Sequence, residues 1–332
     1  MKKVILFILS LCIFLLPLTG CKKSDSDLTV IKVNEVTDSF FYAPFYLAIE
    51  KGFFKEEGLE IELTNGGGSD VSMTALLSRG ADVILAGPET VVYIARQQKI
   101  DAPKVFAQLT KRDGCFLIGR NPEPDFKWDN LKGKEIIIGR KGGLPAMTFE
   151  YIVKNLGLSS NLTLRTDIQF NLMAPTFDNG TADYVTLFEP TATEFVSSGK
   201  GYIVASVGEK SGLVPYTSFI ALSSYLKNKP EIIEKFLTAI YKAIDFIENE
   251  NSTVVSEYLV KHFTGSKIES TAKSLDNYKK VDTWAKDLIL TEEMYQNLIS
   301  IIENAGEDAK NVTFEQVVDN SHAIKVYKKL YG

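Results

Sequence analysis

The chain reads as an α/β protein of two lobes, each a mainly parallel sheet flanked by helices, joined by two crossing segments. Three observations predict this. From Thr29 onward short apolar runs alternate with helix-like segments, the cadence of βαβ units. After a polar loop with two prolines at Asn121 to Asn130, the same cadence begins again. Beyond Pro215 it gives way to one strand-like run and then a long series of helices.

In the first lobe, Val30 to Val36, Leu59 to Leu63 and Asp82 to Ala86 are the strands, and Pro44 to Glu57, Ser69 to Arg79 and Glu89 to Gln98 the helices. Pro44 suits a first helical turn, where its missing N–H has no partner to lose, and Phe45, Ala48 and Ile49 recur at helical spacing, which puts Phe45 in the core. Gly52 lies near the expected stop, and Ser69 reads as a cap ahead of Met73, Leu76 and Leu77. Cys115 to Gly119 is strand-like and ends this lobe. The second has strands at Glu135 to Gly139, Leu162 to Arg165, Ala182 to Leu187 and Tyr202 to Val207, with helices at Leu144 to Asn155 and Thr191 to Ser197.

Tyr216 to Leu222 is a return strand. The helix from Pro230 to Asn249 then places Ile232, Ile233, Phe236, Leu237, Ile240, Ile244 and Ile247 on one broad face, which needs a sheet or helix to cover it. The economical path leaves a first lobe (29–120 and 213–332), builds a second (121–212) and returns, giving a hinge and a cleft.

The start of the chain carries a different message. Lys2 and Lys3 precede an almost wholly apolar run, Val4 to Leu16, too short for a comfortable membrane span and closed by Leu18-Thr19-Gly20-Cys21. This resembles the lipobox of bacterial lipoproteins. The resemblance implies a signal peptide over 1–20, a lipidated Cys21 as mature N-terminus, and a polar tether over 21–28, hence an extracytoplasmic protein anchored to the bacterial cell membrane. Of three cysteines, Cys12 lies in the signal, so Cys115 alone remains in the folded body and no internal disulfide is expected.

Composition narrows the function classes. Of 37 basic residues the signal removes Lys2 and Lys3, leaving 35 against 42 acids, a formal charge of −7 that argues against nucleic acid as a partner. His262 and His322 lie far apart without cysteines nearby, so they read as surface residues and no metal is expected. There is no Gly-x-Ser-x-Gly elbow, Walker-type Gly-Lys-Ser/Thr or His-Glu-x-x-His. Neither an enzyme nor a resident cofactor is expected.

The block from Asp38 to Ile61, with Phe40-Phe41-Tyr42-Ala43-Pro44-Phe45-Tyr46 and Lys51-Gly52-Phe53-Phe54-Lys55-Glu56-Glu57-Gly58-Leu59, resembles the opening of one family of ABC-importer solute-binding proteins. That family includes binders of nitrate, sulfonates and taurine and binders of thiamine-precursor pyrimidines. Arg79-Gly80-Ala81-Asp82-Val83, Asn130-Leu131-Lys132-Gly133-Lys134-Glu135-Ile136 and Phe188-Glu189-Pro190-Thr191 extend the resemblance. It implies a periplasmic binding protein type II fold, monomeric, that closes on a small molecule and delivers it to permease and ATPase subunits. Some relatives are pyrimidine synthases, whose cysteine-rich iron motif and consumed histidine have no counterpart here. A sensor subunit on the same fold is the rival from another class.

Ligands of parallel α/β sheets lie beyond the carboxyl ends of the strands, so the loops there hold the candidate residues. Asp38, Phe40, Phe41 and Tyr42 form an aromatic-rich loop whose rings serve either the ligand or the core. Gly67, Gly68 and Ser69 open one helix, and Arg140, Lys141, Gly142 and Gly143 another, offering backbone amides or simple turn geometry. Ser69 and Thr148 are read as caps before ligand residues. Glu89 and Thr90 in one lobe mirror Glu189 and Thr191 in the other; the acids either complement helix dipoles or accept from a ligand amino group. Lys111 and Arg112 read as a surface turn ahead of a ligand role, and Tyr216 begins the return strand. Rings and acids together favour a planar amino-bearing heteroaromatic, sandwiched by Phe41 or Tyr42 and held by Glu89 or Glu189. Nitrate or an alkyl sulfonate is the alternative.

Overall fold

The computed structural model describes residues 28–97, 100–263 and 265–332; the signal segment and the expected lipid site, Cys21, lie outside the described residues. Two sheets organise the molecule. The first is built from β1 (Thr29–Glu35), β2 (Leu59–Asn65), β3 (Val83–Ala86), β4 (Pro103–Thr110) and β10 (Thr217–Leu222), in the order β2-β1-β3-β10-β4. The second comprises β5 (Phe116–Gly119), β6 (Glu135–Ile137), β7 (Thr163–Arg165), β8 (Tyr184–Leu187) and β9 (Tyr202–Ser206), in the order β7-β6-β8-β5-β9.

The two sheets follow one plan. In each, three strands pair in parallel and the next strand runs against its neighbours: β10 against β3 and β4, β5 against β8 and β9. The reversed strand is the first one laid down after the chain crosses. The other strands end at the crossing side, so a chain arriving from that side must start its first strand there. This corrects the expected boundary: sequence position places β5 in the first lobe, yet it pairs wholly within the second sheet.

The predicted helix from Pro44 to Glu57 divides into α1 (Ala43–Glu50) and α2 (Phe53–Glu56), because Gly52 takes the left-handed φ of +83°, where a side chain would be strained. Helices α3 (Ser69–Leu77) and α4 (Glu89–Ala95) complete the early βα units. Gly68, not Ser69, is the N-cap of α3, so that capping role falls to a residue without a side chain. In the second half, α5 (Leu144–Asn155) and α7 (Thr191–Ser197) are as expected, with α6 (Phe170–Asn179) and α8 (Val207–Ser211) added. Thr148 lies inside α5, buried, and caps nothing.

After β10 come α9 (Ser223–Asn228), α10 (Pro230–Asn249), α11 (Ser252–His262), α12 (Ile268–Lys280), α13 (Glu292–Asn304), α14 (Phe314–Val317) and α15 (Ser321–Tyr331). The face of α10 is covered as its pattern demands: Phe236 packs 5.0 Å from Phe54, 5.1 Å from Phe219 and 6.1 Å from Phe106 between ring centroids. Each such buried ring contributes about 2 kcal/mol of apolar transfer. The outer edge of β4 is closed by the segment after α12, where Gln108 donates to Leu288 O at 2.8 Å and Ala285 to Leu109 O at 2.9 Å. Helix α12 touches the 3₁₀ turn Phe40–Tyr42 on the first half and α7 on the second. His262, expected at the surface, is half-buried and stacks on Tyr46 at 4.1 Å. Among the described residues no helix is long and apolar enough to cross a membrane, and no group of acids, cysteines and histidines could hold a metal ion.

Candidate ligand-binding site

Where the sheets face each other, the loops after the strands converge on a cluster of rings. Phe41, on the turn after β1, is 5.4 Å from Phe188 in the loop after β8, 5.6 Å from Tyr216 before β10 and 5.6 Å from Tyr278 on α12. The cluster therefore draws on both sheets and on the C-terminal helices. Its floor is Gly114: a β-carbon there would lie 2.5 Å from the Phe41 ring and 2.9 Å from that of Phe188. Only glycine lets both rings meet the crossing backbone. Trp284 fixes the turn by donating Nε1–H to Phe41 O at 3.0 Å.

Buried acids stand beside the rings. Glu89 opens α4, 3 % exposed, and its Oε2 has no hydrogen-bond partner among the described residues. Burial pushes its pKa up to about 7; burial likewise raises those of Tyr42 and Tyr216, to which the Glu89 carboxyl adds a smaller push. It lies directly over Gly87, where a β-carbon would meet Oε2 at 2.0 Å. Asp113 is 1 % exposed; its Oδ1 accepts the Cys115 amide at 2.6 Å, its Oδ2 has no partner among the described residues, and burial raises its pKa to about 6. An unsatisfied buried polar group costs about 1–3 kcal/mol. These two carboxylate oxygens, on Glu89 and Asp113, are acceptors without a donor of hydrogen-bond geometry among the described residues, although the Tyr216 hydroxyl lies within reach of Asp113.

Glu35, at the end of β1, belongs to the wall. Burial, then a hydrogen bond shared with Asp38, raise its pKa to about 9, while Tyr46 donates to Oε2 at 2.5 Å. Asp38, itself exposed, is thus engaged with Glu35.

The expected site residues divide. Phe41, Tyr42, Glu89 and Tyr216 come together. Phe40 does not: it packs edge-on to Phe263 at 4.3 Å in the core. Thr90 spends its hydroxyl on Gly87 O at 2.7 Å. Gly67, Arg140 and Gly142 are exposed and Gly68, Ser69 and Gly143 half-buried, so both glycine loops stay at the surface. The β-carbon of Arg112 packs where Gly208 leaves room, and Lys111 pairs with Asp282 at 2.8 Å.

Glu189 differs most from expectation. Its carboxylate accepts from Thr193 N and Oγ1 at 2.9 Å, Ser274 Oγ at 3.1 Å and Asn277 Nδ2 at 2.7 Å. Its amide donates to Tyr278 Oη at 3.0 Å, and its carbonyl accepts from Ser39 Oγ at 2.8 Å. Burial raises the pKa and these donors oppose it. The group is saturated by protein and ties the halves together. Sequence pattern alone does not mark Ser39, Ser274, Asn277, Tyr278 or Trp284. A signal existed in α12, where Thr271, Ser274, Leu275 and Tyr278 share the buried face, since small polar residues on such a face ask for buried partners.

Paired sheets of this order are the fold of the periplasmic binding proteins. Within that class, the chain belongs to the NMT1/THI5-like family, whose description matches residues 39–252. It is 42% identical over 311 residues to a Bacillus subtilis (strain 168) protein named "Putative binding protein YtlA", covering 93% of each chain. Among solved structures it resembles the ligand-binding component of an ABC-type import system from Staphylococcus aureus (TM-score 0.70, 13% identity, 90% of this chain and 99% of that one). The periplasmic nitrate-binding protein NrtA from Synechocystis PCC 6803 gives 0.69 at 15% identity, covering 92% and 90%. The aliphatic sulphonate binding protein SsuA from Escherichia coli gives 0.68 at 14%, covering 89% and 99%. At these identities the structural likeness establishes the fold.

Proposed function

We propose that this chain is the solute-binding component of an ABC importer and that its ligand is a planar, amino-bearing heteroaromatic, such as a thiamine-type pyrimidine or related vitamin precursor. The observation that carries this reading is Glu89: a carboxylate oxygen buried without a partner among the described residues, near Tyr42 and Tyr216, the second of which packs on Phe41. Rings bury the ligand's faces and the acid accepts from its amino group. The two halves part to admit the ligand and close on it, and the closed form engages permease and ATPase subunits. Lipid at Cys21 holds the protein at the membrane, and its role is capture, not catalysis.

A small anion fits less well. Of the four basic residues near the loops, Lys111 is paired with Asp282 and Arg140 and Lys141 are exposed; Arg112, whose buried Nε has no partner among the described residues, is the donor an anion could use, and it stands against two buried acids, Glu89 and Asp113. What favours nitrate or an alkyl sulfonate is the pair of open glycine loops at the starts of α3 and α5, with Gly67 at φ +72° and Gly142 at φ +78°. Calorimetry with both ligand sets separates the readings. Heat from an aminopyrimidine and none from nitrate, taurine or ethanesulfonate is expected; the reverse pattern overturns the heteroaromatic assignment.

A further inference from the structure

Asp113 lies in the crossing from β4 to β5, one residue before the glycine on which the rings rest. The Tyr216 hydroxyl is within its reach, yet neither that hydroxyl nor Asp113 Oδ2 has a partner of hydrogen-bond geometry among the described residues. Tyr216 is acted on by both Asp113 and Glu89, so one ring lies in the field of two buried acids, each with a free oxygen. These acids stand on different elements, Glu89 at the start of α4 and Asp113 in the crossing loop between β4 and β5. Lys111, two residues earlier, is turned to Asp282; the stem of Arg112 begins against Gly208, and its buried Nε has no partner among the described residues.

A carboxylate oxygen accepts and cannot donate, so each orphan oxygen asks for an N–H or O–H. We propose that the ligand carries N–H donors on two separate edges, one met by Glu89 and the other by Asp113 with Tyr216, making Asp113 a specificity residue that selects a diamino ring over a monoamino one. This rests on the reading of the cluster as a ring-binding site. The selection works through what is left unpaired: a monoamino ring seals the site but leaves Asp113 Oδ2 dry and without a donor.

The test is calorimetry on the intact chain with 2,4-diaminopyrimidine and 4-aminopyrimidine. The diamino probe is expected to bind at least about tenfold tighter, and Asp113→Asn to bring the ratio near unity. Asparagine keeps an Oδ1 for the Cys115 amide, and the thermal midpoint checks the fold. Tyr216→Phe, which removes only the hydroxyl, is expected to lower the ratio as well and stands in if the asparagine variant does not fold. Equal binding of both probes by the unaltered protein overturns the proposal, as does a ratio that survives both substitutions or a folded Asp113→Asn that binds neither probe. If the unaltered protein binds neither probe, the ring reading fails and this inference with it; a ratio indifferent to Asp113 fails this inference alone.

Discussion

Asn277 on α12 donates to the Glu189 carboxylate at 2.7 Å, and with that bond a helix of the C-terminal run holds the loop that follows β8 of the other sheet. The acid is buried, so the bond is shielded from water and salt. Asn277→Ala should lower unfolding free energy by about 1–3 kcal/mol, since it leaves a buried carboxylate short of a donor. Urea denaturation checks this. A change within about 0.5 kcal/mol, the range of a neutral surface substitution, would show that the contact carries no weight.

Glu89 gives a prediction with two signs. Its folded pKa of about 7 lies above its ordinary 4.5, so the native state holds the proton more tightly and the unliganded protein loses stability as pH rises between those values. The loss is about 3 kcal/mol at most. Glu89→Gln should therefore melt higher than the parent at pH 8, match it near pH 4.5, and bind aminopyrimidine at least about tenfold more weakly at pH 8. Scanning calorimetry across pH and a binding titration measure the two effects.

For the parent protein, affinity for an amino-bearing ring should fall as pH drops through about 7, because protonation removes the acceptor that Glu89 offers. Titrations at pH 8 and pH 5.5 test this. Equal affinity at both would mean that the ligand does not use the ionised acid.

Gly114→Ala should act on closure. A methyl 2.5 Å from the Phe41 ring must push it away or hold the halves apart, at about 1–3 kcal/mol for an overpacked contact. Affinity should fall about tenfold, and small-angle scattering should show a larger radius in the presence of ligand than for the parent.

Cys21→Ser should release the protein from membranes with ligand affinity unchanged. Fractionation after a high-salt wash measures it, and a variant that stays with the membrane counts against the lipid anchor.

Local pattern made much of this molecule legible. The βα cadence gave most strands, Gly52 marked the break between α1 and α2, and the apolar stripe of α10 found its cover. β4 opens on Pro103 and α6 holds Pro175 in its interior, residue types that interrupt a strand or helix pattern, so neither element stands out in the sequence. Sheet membership of β5 depends on pairing with residues far along the chain, which its own four residues do not encode. The site was legible where one loop carries rings and an acid. It was obscure where a role is decided by partners: Glu89 and Glu189 open matching loops, yet only the second meets Ser274 and Asn277.

The hydrogen bond from Trp284 to the Phe41 carbonyl has a practical use. The chain has two tryptophans, and Trp128 packs on Phe126 and Phe149 within the second half. With Trp128 replaced by phenylalanine, the remaining indole is wired to the backbone of the very turn that carries the ring cluster. Its emission becomes a built-in optical gauge of occupancy, readable in a cuvette without labels. Because that indole lies beyond residue 252, where the family match ends, an engineered biosensor must keep the C-terminal helices, or it discards its own lamp along with the clasp around Glu189.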